Sequence, residues 1–514
     1  MELLVVGLDG VSPNMLREFD VETTFLDAVE RDGVAGDLRS VDAPTTLPAW
    51  TSFATGKDPG SHGVATMLQQ GTDYDIVPSR PNTTDAAAYD LIDDALFVNL
   101  PGSIGRTPAA AGTRLVSSFL ASDKADAVPA ELRSVDGFEE YVVHADTDLQ
   151  ATPERYFEHL VETTRARHDF AAEAFGRFDP RVGFVLFSTP DWVGHHLQFA
   201  PDGATGSRWY RTVLEACDEF AAALADRAEN VLLLSDHGFE PKPKAIHLQT
   251  WLEREGYLAT ADERSSLQRL ATGTATQVAR RFDTLFDLLR TAYLRVTSAT
   301  GGERLGDVVD FNPDVDFAAS RAWQLRYGCL YVNADRFDSP TVEDADALRA
   351  ELRDRLAGLT DDDGTPVFQS VHELDEVYAD PDPDAMLPDL VARPAPGYLP
   401  LRAFSPTGDP VIDMPGHDHY DHRYDGLVAA DGPLFAAGTV DGMSIVDVLP
   451  TILHALGESL PPDLDGEVRT GMLRTDAAPT VLDPGAVPDP RTRDTGTDRA
   501  AAAREQLRNL GYLE

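Results

Sequence analysis

The chain is poor in three things: cysteine, lysine and long apolar runs. Cys217 and Cys329 are the only cysteines. They stand far apart in apolar surroundings, which excludes a disulfide scaffold and predicts two buried thiols. Lys57, Lys124, Lys242 and Lys244 are the whole lysine complement, and Lys+Arg reach 43 against 87 Asp+Glu. That balance excludes binding along a nucleic-acid backbone, which needs clustered basic side chains. No apolar run approaches the roughly 18 residues of a membrane span, and no basic-then-apolar leader opens the chain. The expectation is a cytoplasmic protein that acts on a small molecule.

What is present is acid and enough apolar residue for a large core. Hydrophobic residues make up 42% of 514, and a chain of that length points to one large domain with insertions or to two domains. The formal net charge of −44 is spread along the chain and is not gathered in a tail. Such a surface resembles that of haloarchaeal cytosolic proteins. Its self-repulsion is screened over a Debye length of roughly 3 Å at 1 M salt against about 10 Å at 0.1 M, so high salt favours the fold.

Short apolar runs at 1–9, 95–100, 182–188 and 230–235 read as buried parallel strands. Helical patterns at 153–175 and 206–228 alternate with them. The fold class that follows is α/β, a doubly wound sheet with a helical insertion over the active site. The core takes in 1–245 and 309–470, and 246–308 is the helical insertion, or cap. The stretch 471–514 is a loose linker and C-terminal helix. Within the core, 322–333 and 365–378 read as strands around a helix at 342–356, a βαβ-type element. A strand at 434–438 and a helix at 444–456 close it.

In doubly wound sheets ligands gather beyond the carboxyl ends of the strands. Asp9, Asp191 and Asp236 all fall at or just after such ends. Asp9-Gly10 and Asp236-His237-Gly238 also have the composition of ordinary turns. Asp191 and His195 are spaced i, i+4, so a helix puts both on one side, as metal ligands require, with His196 on another. Thr46 precedes Pro48 and a helical pattern, which sets its hydroxyl near a helix N-terminus, where negative charge is favoured. A threonine there is also an ordinary cap, and Thr45 is the alternative cap. Gly56-Lys57 is not a phosphate-binding P-loop, because Asp58 follows. Residues 416–425 hold His417, His419 and His422, and spacing alone does not choose among them.

Together these segments resemble the alkaline phosphatase superfamily, in its type I phosphodiesterase/nucleotide pyrophosphatase branch. The likeness is carried by Asp9-Gly10, by Thr46 running into Thr55-Gly56, Pro59 and His62-Gly63, by Asp191 with His195, and by Asp236-His237. His422 ahead of Asp425-Gly426 and the run from Asp447 to Leu453 complete it. The resemblance implies two divalent cations, Zn2+ with Mn2+ as the alternative. One is held by Asp9, Asp236 and His237, the other by Asp191, His195 and His422, with Thr46 as a metal-bound nucleophile. It implies hydrolysis of phosphodiesters or nucleotide pyrophosphates through a phospho-threonine intermediate. A phosphomonoesterase, phosphonate hydrolase or phosphomutase on the same metals is the alternative, and a non-catalytic binding protein that keeps the fold is the alternative from another class. The chain departs from the branch at Ala49 and Met67, where the branch has asparagine. Trp50 stands where sulfatases have arginine. Trp50 and Met67 are therefore expected beside the substrate, with Trp50 as an apolar wall for the second substituent of a diester.

Overall fold

The computed structural model describes residues 1–514 except 83, 118–120, 122–123, 125, 261–314, 415–418, 476 and 493–514. Most of the expected insertion at 246–308, the expected C-terminal helix and His417 lie outside the described residues.

Leu3–Leu8 is buried on both faces, as its unbroken apolar run requires. It is the centre of the main sheet. Asn230–Leu234 pairs parallel on one side of it and Val182–Phe187 parallel on the other. Ala95–Leu100 and Arg114–Ser117 extend the parallel part. Asp425–Asp431 lies antiparallel between Asn230–Leu234 and Val34–Arg39. The four parallel strands read from the sequence are therefore all present and contiguous. Val34–Arg39, which alternates too weakly to be read as a strand, is added beyond Asp425–Asp431, with Gly438–Thr439 and Met443–Ser444 on its far side.

Alternation along the first strand sends Leu4, Val6 and Leu8 to one face and Leu3 and Val5 to the other. The helices Pro153–Phe178 and Gly203–Ala225 cover the first face. Thr46–Thr55 and Val448–Ala455 cover the second. The apolar faces of these helices, legible in their spacing, are what hold the strand ends in one plane.

Beyond the carboxyl ends the chain makes further, smaller sheets. Residues 322–394, read from the sequence as part of the core, form a separate antiparallel sheet. In it Ala322–Arg326 and Cys329–Val332 are a hairpin, followed across the sheet by Leu390–Pro394 and Phe368–Glu373. The βαβ reading is thus corrected. The helix Ala345–Ala357 is there, but a tight turn at Tyr327-Gly328 splits the first run into a hairpin. The start of the 246–308 stretch continues a strand, Lys244–His247, into the helix Leu248–Arg254. The expected strand at 434–438 reduces to a bridge at Phe435 and the two residues Gly438–Thr439.

Candidate active site

Three neighbouring parallel strands end level with one another, with Gly7 opposite Leu234 and Leu8 opposite Phe187. The residues that follow are Asp236, Asp9 and, one helical turn on, Asp191. Their proximity is thus set by sheet register, not by a loop. Gly10 turns the chain at a φ of +72°, where an L side chain is disfavoured and a Cβ would stand 2.7 Å from Phe239. Its backbone N–H donates to Asp236 Oδ1 at 3.2 Å.

Two sets of three side chains result. In the first, His237 Nε2 lies 3.6 Å from Asp9 Oδ1 and 3.3 Å from Asp236 Oδ2. In the second, Asp191 Oδ1 lies 3.5 Å from His195 Nε2 and 3.1 Å from His422 Nε2, and the two Nε2 atoms are 3.0 Å apart. His422 arrives on an antiparallel ribbon, Tyr420–Arg423 against Gly238–Pro241, with His422 opposite Phe239. The ribbon starts where His237 ends, so the His237 and His422 rings stack at 3.9 Å and join the two sets. Among the described residues, close ligand-type atoms gather as Asp9, Asp236 and His237, as Asp191, His237 and His422, and as His195, Asp421 and His422, and none of these groups contains His419. The His419 carbonyl accepts instead from the Lys242 N–H.

The electrostatics are those of a site built for cations. Burial, then the Asp236 and Asp191 charges, push the Asp9 carboxyl well above the usual range. Burial chiefly pushes Asp236 up to about 8. Burial drives the His237 imidazolium well below its usual value. At Asp191 burial pulls upward, but His195 and His422 outweigh it and hold the carboxyl low. Burial likewise pulls His195 down, and Asp191 outweighs it, pushing His195 up to about 9. Asp236 Oδ2 and His237 Nε2 are buried with no hydrogen-bond partner. An orphaned carboxylate oxygen and imidazole nitrogen facing each other suit a divalent ion, and the oxygen–nitrogen donor set suits zinc or manganese.

Thr46 opens the helix Thr46–Thr55, with its Oγ1 3.5 Å from Asp9 Oδ1. The His62 ring anchors that helix. Val64 N–H donates to Nδ1 at 3.2 Å, which leaves the proton on Nε2, 2.8 Å from Ser52 Oγ. Burial pushes His62 down to about 3. A histidine depressed in the fold contributes stability above its unfolded value of roughly 6.5, and that contribution is lost as pH falls toward about 3. The stability difference between wild type and His62→Gln is therefore expected to shrink by about 2 kcal/mol from about pH 7 to about pH 5, at about 1.4 kcal/mol per pKa unit. Paired denaturant melts measure it; a difference independent of pH would count against a neutral His62.

Asp42, four residues before Thr46, is clamped from the second sheet. Arg393 Nε and Nη2 donate to its two carboxylate oxygens at 2.8 and 2.7 Å, and Tyr378 Oη–H donates to its carbonyl at 2.7 Å. A bidentate pair fixes orientation as well as distance. Arg393→Gln is expected to lower kcat by about ten- to a hundredfold by shifting Asp42 and with it the Thr46 hydroxyl. A loss confined to KM would contradict it.

Two expected substrate residues are elsewhere. Trp50 is fully buried beneath the sheet, against Phe53 and Phe184, and a Cβ at Gly7 would stand 2.6 Å from its ring. It anchors the helix and cannot be a pocket wall, because the turn that puts Thr46 at the site points Trp50 into the core. Met67 is buried in the apolar cluster shared with the second sheet. Sequence reasoning missed Asp421. It lies 4.0 Å from His195 Nδ1, accepts the His422 N–H and faces the Tyr327 hydroxyl at 3.5 Å. The available signal is His195, since a histidine that holds a metal commonly turns its other nitrogen to a carboxylate, and it is His195 Nδ1 that faces Asp421.

A doubly wound sheet with this equipment at its strand ends belongs to the alkaline-phosphatase-like α/β proteins. Solved structures agree at the level of fold. Human ectonucleotide pyrophosphatase/phosphodiesterase 5 is 12% identical over 92% of this chain and 100% of its own, with a TM-score of 0.50. Phosphonoacetate hydrolase from Sinorhizobium meliloti 1021 is 14% identical over 89% and 95%, with a TM-score of 0.52. A substituted form of the alkaline phosphatase PafA is 14% identical over 91% and 98%, with a TM-score of 0.50. The search of curated proteins gave no match. The model of the type I phosphodiesterase/nucleotide pyrophosphatase family matches residues 3–425, and the chain belongs to that family. No helix among the described residues is long and apolar enough to cross a membrane.

Proposed function

We propose that this protein hydrolyses phosphate esters with two divalent cations and Thr46 as the nucleophile, and that diesters are its better substrates. The observation that carries the reading is the buried pairing of two three-residue ligand sets with a threonine hydroxyl beside one of them. Asp9, Asp236 and His237 would hold one cation and Asp191, His195 and His422 the other. Bound cations polarise phosphoryl oxygens and acidify a coordinated hydroxyl. Thr46 Oγ, its proton lost to water, forms the new bond to phosphorus as the bond to the leaving alcohol breaks. Water then attacks phosphorus, returning Thr46 and releasing the phosphate product. The helix N-terminus at Thr46 favours the anionic phosphoryl group. His62 and Arg393 keep the hydroxyl in place through the helix and the loop before it.

The diester preference rests on charge. A monoester dianion asks for a cationic side chain beyond the metals. No lysine or arginine stands between Thr46 and Lys57, Lys57 is taken up by Asp85 and Asp463, and Lys242 and Arg423, which line the pocket beside His422, are paired with Glu240 and Asp425. The test is kcat/KM for bis-p-nitrophenyl phosphate against p-nitrophenyl phosphate at equal metal and salt. A monoester preference of about tenfold, roughly 1.4 kcal/mol, would move the assignment to a phosphatase. Faster turnover of phosphonoacetate in the same screen would make the protein a phosphonate hydrolase, and faster turnover of a sulfate ester a sulfatase.

A further inference from the structure

A pocket opens beside His422, between the main sheet's strand ends and the second sheet. Its walls include Tyr327, Pro394, Tyr398, Pro400 and Arg423. Where it lies relative to the reaction follows from the nucleophile. Thr46 Oγ1 sits next to Asp9, in the set with Asp236 and His237. In-line displacement sends the leaving oxygen to the opposite side, toward Asp191, His195 and His422. A pocket walled by His422 and by Tyr327, which faces Asp421 beside His195, is on that leaving side.

Tyr327 is the unusual residue there. It and Gly328 form the two-residue turn between Arg326 and Cys329, with φ of +47° and +79°. Both central residues lie in the left-handed region, the geometry that favours Asn-Gly in a tight hairpin. An aromatic side chain in that region is held at a cost of roughly 1–2 kcal/mol, and such outliers concentrate at functional sites. Here the cost puts a half-buried ring parallel to the His422 ring, 9° between planes and 5.8 Å between centroids.

We propose that this pocket is the leaving-group subsite, and that Tyr327 is the surface on which a planar, aromatic leaving group stacks. The proposal rests on the phosphate-ester reading above and names the substrate class of that same site. A ring on the departing oxygen meets the Tyr327 face and the proline and tyrosine walls. The substituent that stays on phosphorus does not enter the pocket.

Tyr327→Asn separates this role from a structural one, because asparagine suits the turn better than tyrosine. The variant is expected to melt at or above the wild-type temperature. Its kcat/KM should fall about tenfold for p-nitrophenyl phosphate, and by the same factor for p-nitrophenyl methyl phosphate, which shares the leaving group. Methyl phosphate turnover should fall by less, since its leaving group has no ring to stack. Tyr327→Phe should keep more of the p-nitrophenyl rate than Tyr327→Asn, since the ring carries the effect. Inhibition by p-nitrophenol should weaken in Tyr327→Asn by a similar factor. Unchanged p-nitrophenyl kinetics, or a loss that appears only when the retained substituent is aromatic, overturns the subsite. If the wild type turns over no phosphate ester, the functional reading fails. p-Nitrophenol binding to the two proteins then decides the pocket alone: weaker binding to the variant supports it, and equal binding overturns it.

Discussion

Thr46→Ala is expected to lose turnover by about 10⁴- to 10⁶-fold, the range seen when a hydroxyl nucleophile is removed from an assembled site. It should bind its cations as wild type does, because Asp9, Asp236 and His237 stay in place. The hydroxyl makes one contact of 3.5 Å to Asp9 and caps nothing, since Thr45 occupies the N-cap position. Stability should therefore change little. Thr46→Ser keeps the nucleophile and should retain measurable activity. Near-normal turnover by the alanine variant would remove Thr46 from the reaction.

Asp236→Asn is the second large effect, and it divides activity from stability. A structural aspartate lost from a buried site destabilises the fold. Asp236 is the opposite case in the metal-free chain, where burial and the Asp191 charge oppose its ionisation. Asparagine keeps an oxygen for the Gly10 N–H and removes the repulsion. The metal-free variant should melt at or above the metal-free wild type. Its activity should fall about 10³-fold, roughly 4 kcal/mol of transition-state stabilisation, with the loss of one cation site. Zinc-induced stabilisation, measured as the shift in melting temperature on adding the ion, should shrink accordingly. A variant that keeps full activity would contradict the ligand role, and one that unfolds without metal would mark Asp236 as structural.

The parts of the site that are legible in the sequence are those fixed by local order. Asp9 and Asp236 follow short apolar strands directly, and Asp191 and His195 share a helical spacing, so strand ends and one helix face locate all four. The sheet's parallel centre is legible for the same reason, because strands buried on both faces are unbroken apolar runs. His422 is harder. Its position depends on a ribbon paired with a strand far back in the chain, and its immediate sequence offers two more histidines. Trp50 is misleading because helical direction, not nearness to Thr46, decides where a side chain goes. Asp421, Arg393 and Tyr327 give no local signal of their roles. Each touches a partner more than 90 residues away in another sheet or segment, and such contacts are set by how the sheets pack. The hairpin at Tyr327-Gly328 escapes a sequence reading because tyrosine is not a residue that announces a left-handed turn.

The most direct measurement is the count of bound cations against recovered activity. The protein is stripped with a chelator, returned to buffer in molar KCl and titrated with Zn2+, with bound metal read by elemental analysis and turnover of bis-p-nitrophenyl phosphate read in parallel. The ligand geometry predicts two ions per chain at full activity, with full turnover reached only as the second site fills, and one ion per chain in Asp236→Asn. Full activity with one ion or none would contradict the two-metal site on which the functional reading stands.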